Sequence, residues 1–346
     1  MTSDGGISSG GGRIGGGTGG RSENACGLPG TGGARGGAGG AGGATSGGSG
    51  GGGGSAGGRA PVGGQGLPVC GSGVSTDATA GWIFFDSDQA NFNRDIYRVR
   101  PDGSGLARVT SAPSIEKEPA VSPDGRRMAF ASDRAGSMQV FLMDLATSAV
   151  TQVTAMPLSA DEPKFSHDGQ RLAFHSGASV YVTALNGTCP ILVASGLDSF
   201  NAYSWPDFSA DDQELVFDRN NEIDAAHLDG SGFRRVVSNW TTTIKSPSVS
   251  PSGRELAYAV FCDSRLSIWT TPFSIETNPC AGRRLTSPSE PLSQHPAWGP
   301  GDVFAYERVD KATNIASIVL LSRVPNSAPC ILTVETADSR NPSWAP

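Results

Sequence analysis

From Trp82 onward, short apolar stretches alternate with polar turns, and the alternation recurs in a fixed order. Glu118-Pro119-Ala120-Val121-Ser122-Pro123-Asp124-Gly125 leads into Met128-Ala129-Phe130, and Glu162-Pro163-Lys164-Phe165-Ser166-His167-Asp168-Gly169 leads into Leu172-Ala173-Phe174. The unit returns as Trp205-Pro206-Asp207-Phe208-Ser209 before Leu215-Val216-Phe217, and as Ser246-Pro247-Ser248-Val249-Ser250 before Leu256-Ala257-Tyr258. It appears again as His295-Pro296-Ala297-Trp298 before Phe304-Ala305-Tyr306, and a shortened copy, Asn341-Pro342-Ser343-Trp344-Ala345-Pro346, closes the chain. Successive shared prolines are separated by 44, 43, 41, 49 and 46 residues. A period in the forties with strand-type patterning is the signature of propeller blades.

Each repeat reads as four short strands. The first is expected to start at the shared proline, where no ladder donor is needed. Two positions on stands a large apolar residue (Val121, Phe165, Phe208, Val249, Trp298 or Trp344), the alternation of a strand with one packed face. Ser-Pro-Asp-Gly is a tight turn, because proline presets φ at the corner and glycine accepts positive φ. The third and fourth strands are read at Val140–Asp144 and Thr151–Thr154 and at their counterparts, and no stretch keeps helical spacing. Residues 82–110 carry strands two to four of a repeat without a first, whereas Asn341–Pro346 is a first strand with nothing after it. Pairing the two makes one blade from both ends and leaves no open sheet edge at the seam. The fold class is therefore all-β: a six-bladed β-propeller closed by pairing of the C-terminal strand with the first blade.

Composition divides the chain. Of its 49 glycines, 32 precede residue 71, and the first aromatic residue is Trp82. Such a segment cannot bury enough apolar surface to offset its ordering entropy, so residues 1–75 are read as a disordered Gly/Ser/Ala-rich tail and 76–346 as the propeller. Net charge is −7, with no concentrated basic face, which argues against nucleic acid as partner. No apolar run is long enough for a membrane span, and a monomer is expected. The first residues lack the basic and apolar regions of a signal peptide, which read literally means the cytoplasm. A long glycine tether ahead of a folded domain points instead outside it, to the periplasm or cell surface. The six cysteines form no C-x-x-C; disulfides, including one between Cys26 and Cys70, and free thiols are both open.

The repeats resemble the WD40-like repeats of the TolB propeller family. The residues that carry the resemblance are Pro-x-Val/Phe/Trp-Ser-Pro-Asp-Gly, the Leu-Ala-Phe/Tyr of strand two, Phe130-Ala131-Ser132-Asp133-Arg134, and the strand ends Arg108-Val109-Thr110 and Arg284-Leu285-Thr286. The resemblance covers residues 82–346 and implies a bacterial, non-enzymatic, extracytoplasmic domain that binds other proteins through its faces or channel. Glycine-rich sequence stands where the family's namesake has an N-terminal α/β domain, a departure from the pattern.

Catalytic motifs are scarce. Gly47-Gly48-Ser49-Gly50-Gly51 fits a nucleophile elbow in letters only, since it lies in low-complexity sequence. His167, His175, His227 and His295 occupy dissimilar places and read as solvated or hydrogen-bonded residues. Asp86, Asp88, Asn91, Asn93 and Asp95 form an oxygen-rich hairpin, a weak calcium candidate at Asp86, Asp88 and Asp95 that lacks the EF-hand glycine and terminal glutamate; turn formation is the preferred reading. No cofactor is otherwise expected. Innermost strands line a propeller's channel, so Glu118, Glu162, Trp205, Ser246, His295 and Asn341 should ring one mouth, thickened by Lys117, Asp161, Lys245, Gln294 and Arg340. Unlike side chains at equivalent positions suit recognition of a protein or peptide, with Trp205 as the foremost contact. The alternative is a carbohydrate-active or lyase-type propeller, which would bring His295 within reach of Glu118 or Glu162.

Overall fold

The computed structural model describes residues 81–89, 93–196, 202–238, 242–262, 264–273, 278–301, 303–323, 329–333 and 337–345. The expected glycine-rich tail, with Cys26 and Cys70, lies outside them. Among the described residues the chain forms six four-stranded antiparallel sheets, each with the order of a propeller blade. Among the described residues one 3-10 turn, Pro279–Ala281, interrupts the strands.

The seam blade joins the two ends of the sequence. Ser339–Ala345 is its innermost strand, followed by Trp82–Ser87, Asp95–Val99 and Ala107–Arg108. Trp344 lies opposite Ile83 and Ser339 opposite Ser87, so the closing strand pairs toward both of its ends, on either side of a break in register. The other innermost strands are Glu116–Val121 in blade two, Ala160–Phe165 in blade three, Ser204–Phe208 in blade four, Ile244–Val249 in blade five and Leu292–Trp298 in blade six.

The innermost strand begins ahead of the shared proline, not at it. A bulge explains why an interior proline is tolerated: the register jumps between Lys117 and Ala120, between Asp161 and Lys164, and at the equivalent place in every other blade. Proline removes no ladder hydrogen bond where the ladder is already broken. The residue before each proline has positive φ: 55° at Glu118, 53° at Glu162, 51° at Trp205, 55° at Ser246, 49° at His295 and 54° at Asn341. A side-chain-bearing residue in this region costs of order 1–3 kcal/mol, so six copies need support from their surroundings.

Part of that support comes from the second strands. Opposite each bulge stands a buried ring: Phe85, Phe130, Phe174, Phe217, Tyr258 or Tyr306. Apolar clusters then join neighbouring blades. Phe85 and Ile83 of the seam blade pack with Ala305 and Leu320 of blade six, while Phe84 and Ala345 pack with Met128 and Phe130 of blade two. The seam blade thus has one face in each neighbour's core, and the ring closes on itself.

Cys262 and Cys280 form a disulfide between the second strand of blade five and the turn before its last strand. Cys189 and Cys330 each take part in a disulfide too.

Candidate functional site

The bulges bring the six pre-proline residues together. Glu118, Glu162, Trp205, Ser246, His295 and Asn341, with the prolines that follow them, line one cavity of about 80 Å³. That is room for a side-chain tip, given that a liquid water occupies roughly 30 Å³.

A chain of carboxylates holds this rim in shape. Asp86 Oδ1 accepts the Glu118 N–H at 2.9 Å, Glu118 Oε2 the Glu162 N–H at 2.8 Å, and Glu162 Oε2 the Trp205 N–H at 2.6 Å. Asp218 Oδ2 accepts the Ser246 N–H at 2.6 Å, and Glu307 Oε1 the Asn341 N–H at 2.7 Å. Each link runs from one blade to the next. Each bond satisfies the N–H of a strained residue, so the clamps offset part of the backbone strain. There are two versions of the clamp. Asp86, Asp218 and Glu307 come from second strands; where that position holds Ala131 or His175, the pre-proline Glu118 or Glu162 itself serves as the acceptor. Blade five has Ala259 there, and no carboxylate takes the His295 N–H among the described residues.

The side chains differ around the rim. The Trp205 and His295 rings lie with centroids 4.1 Å apart. His295 Nδ1 is 2.5 Å from Glu307 Oε1, and Gln294 donates to Glu307 Oε2 at 2.9 Å. Lys117 Nζ lies 2.8 Å from Glu118 and 3.3 Å from Asp161. Arg340 pairs with Asp338 at 2.8 Å. Burial, reinforced by the neighbouring Glu118 and Asp161 carboxylates, holds Glu162 well above the usual carboxylate range. Burial also pushes Asp218 up to about 6, against the hydrogen bonds from Ser204 and Ser246.

The Asp218 shift has a measurable consequence. Between about pH 4 and pH 6 the folded protein keeps a proton there that the unfolded chain has released, so stability falls as pH rises through that window. A displacement of this size corresponds to roughly 3 kcal/mol at pH 7. Asp218→Asn keeps an acceptor for the Ser246 N–H and is expected to gain stability over the parent from pH 4.5 to pH 7. Urea unfolding at both pH values checks it, and a stability difference that does not change with pH would contradict it.

His295 shares the cavity with Glu118 and Glu162, but among the described residues its hydrogen-bonded carboxylate is Glu307, not the Glu118 or Glu162 of the alternative reading. Asp86, Asp88 and Asp95 are engaged separately: Asp86 pairs with Arg94, Asp88 accepts the Asp338 N–H at 2.8 Å, and Asp95 pairs with Arg108 at 2.6 Å. His167 bonds Asp212 at 3.0 Å, and His227 is exposed. Reading the sequence missed the clamps Asp86, Asp218 and Glu307, although an acidic residue directly after the strand-two ring in three repeats was a signal for them. A second cavity, of about 370 Å³, lies at the other end of the innermost strands, where Phe165, Trp298, Trp344, His167 and Lys164 line it.

Comparison with known proteins agrees with this architecture. A family model described as the TolB beta propeller domain matches residues 83–186. A protein TolB homolog of Chlorobium luteolum is 46% identical over 85 residues, covering 22% of this chain and 18% of that protein. The Tol-Pal system protein TolB of Bordetella pertussis is 46% identical over 39 residues, covering 11% of this chain and 9% of that protein. The chain therefore spans under a fifth of the length of these relatives. The crystal structure of TolB from Acinetobacter baumannii superposes with a TM-score of 0.65 at 19% identity, covering 78% of this chain and 67% of that one. A putative TolB from Agrobacterium tumefaciens gives 0.58 at 15% identity, over 77% and 98%. At such identities the likeness concerns the fold.

Proposed function

We propose that this TolB-like six-bladed propeller is a non-catalytic binding module that takes a protein or peptide partner at the mouth ringed by Glu118, Glu162, Trp205, Ser246, His295 and Asn341, and works outside the cytoplasm on its glycine-rich tether. The observation that carries the reading is that six equivalent backbone positions, all held at positive φ around one cavity, present unlike side chains. A purely structural position could repeat one residue. Several of the rim's carboxylates are committed to backbone N–H groups, which suits a surface that keeps its shape better than one that moves protons. Trp205 supplies a half-buried aromatic anchor beside the cavity, the residue type that dominates interface energetics. The Cys262–Cys280 disulfide supports an oxidising compartment, since cytoplasmic thiols are kept reduced. Among the described residues no helix is long and apolar enough to cross a membrane.

Glu162 also clamps the Trp205 backbone, so charge reversal there would disturb the rim and the partner together. Trp205→Ala is the cleaner test. A photo-crosslinking phenylalanine at position 205, expressed in the native cell, should give one discrete adduct that excess purified parent protein competes away. Trp205→Ala should compete at least about thirtyfold less well, the scale of a hot-spot truncation. The same group at Leu192, exposed on an outer strand, should give no adduct. An adduct from position 344 in the second cavity but not from 205, or equal competition by Trp205→Ala, would reject this mouth.

A further inference from the structure

We infer that Asp161, Glu162 and His175 form a site for a divalent transition-metal ion of the zinc class at the edge of the mouth. One ligand atom from each lies within 4.8 Å of the others. Asp161 and His175 face each other across the first two strands of blade three, and Glu162 follows Asp161 on the bulge.

The imidazole carries the argument. Its Nε2 lies 2.8 Å from the Gly177 carbonyl oxygen, which can only accept, so Nε2 bears a proton. In the neutral ring Nδ1 is then a lone pair, and it stands 2.7 Å from Asp161 Oδ1, itself an acceptor. Two acceptors at that distance need something positive between or beside them: a second ring proton or a bound cation. An imidazole whose far N–H is fixed by a backbone carbonyl is the arrangement that orients metal-ligating histidines.

Charge leads to the same place. Glu118, Asp161 and Glu162 bring three carboxylates against one ammonium, Lys117, and Glu162 has no ion-pair partner among the described residues. Lys117 sits on Asp161 Oδ2, which leaves Oδ1 on the histidine side. One nitrogen and two carboxylate oxygens suit zinc and its first-row neighbours, whereas calcium takes six to eight oxygens. Ligand distances of about 2.0–2.2 Å set the donors roughly 3–3.5 Å apart, so Asp161 and His175, at 2.7 Å, would open slightly and Glu162 would turn toward them. The remaining coordination positions would be left to water.

Titration calorimetry of the intact protein at pH 7.5, after treatment with chelator, tests the site with Zn²⁺ alone. One equivalent of Zn²⁺ is expected to bind and to raise the melting temperature, whereas Ca²⁺ does neither. His175→Gln and Asp161→Asn are each expected to weaken Zn²⁺ at least about tenfold, while Lys117→Met, which removes the competing ammonium, retains or tightens it. Circular dichroism establishes that the variants are folded. Co²⁺ in place of Zn²⁺ gives a second readout, a visible absorption band lost in His175→Gln. Failure of Zn²⁺ to bind the parent would assign the pair to an imidazolium–carboxylate contact and overturn the proposal. Binding unchanged in His175→Gln and Asp161→Asn would overturn it equally.

Discussion

Deletion of residues 339–346 is expected to abolish the cooperative unfolding transition. The segment supplies the innermost strand of the seam blade, paired toward both of its ends with Trp82–Ser87. Without it the backbone of that second strand loses its ladder on one side and becomes an open edge. Two clusters lose members at once: Trp344 packs on the core shared with blade six, and Ala345 belongs to the core shared with blade two. The deletion also removes Asn341, whose N–H satisfies Glu307 and whose side chain donates to Asp86. A propeller has no partial ring to fall back on, so the loss falls on both neighbours. Thermal unfolding followed by circular dichroism should show a broad, non-cooperative change in place of a single transition. A sharp transition near the parent's midpoint would mean that the closing strand contributes little.

Glu307→Ala is expected to lower stability by about 3–5 kcal/mol, the cost of removing one partner of a buried charged network. Glu307 is fully buried and takes three hydrogen-bonding partners: the Asn341 N–H at 2.7 Å, His295 Nδ1 at 2.5 Å and Gln294 Nε2 at 2.9 Å. It therefore ties the closing strand to the rim. Burial pushes its carboxyl up, but His295 and the hydrogen bonds outweigh burial and hold it below its ordinary value. Its contribution is thus complete above the carboxyl range of the unfolded chain and is lost as pH falls through the lowered folded value. Glu307→Gln keeps an acceptor and should recover much of the loss. Urea unfolding of both variants at pH 7 reads the difference, and equal stabilities for alanine and glutamine would show that the hydrogen bonds do not matter.

Much of the fold was legible because its signals are local and repeated. The proline period and the turn residues after Ser122, Ser166 and Ser250 reveal a blade each time they occur. The incomplete repeat at Trp82 and the orphan strand at Asn341 reveal the seam. The rim residues were legible for the same reason, since each precedes a shared proline. What escaped was everything defined by register between strands. A bulge is a mismatch between two strands, so Pro119 looked like a strand's first residue when it lies inside one. Asp161 and His175, fourteen residues apart, meet only because the register sets them opposite each other. The Cys262–Cys280 pairing was one of several that six cysteines allow. The weak calcium candidate consists of acidic residues that are neighbours in sequence; Asp86 and Asp95 each pair with a different arginine.

One measurement bears most directly on the claim that remote ends of the sequence build a single blade and, through it, a single rim. In blade two, the six residues Ser122–Arg127 connect Val121 to Met128, the pair equivalent to Trp344 and Ile83 at the seam. A circular permutant of residues 81–346 would join Trp344 to Ile83 through that turn and open new ends between the exposed Ala135 and Gly136. Its urea unfolding should be cooperative, with a stability within about 1 kcal/mol of the unpermuted 81–346 chain, because the turn replaces a seam that is already paired. A permutant that fails to fold while the unpermuted chain folds would contradict the pairing, and with it the shared rim.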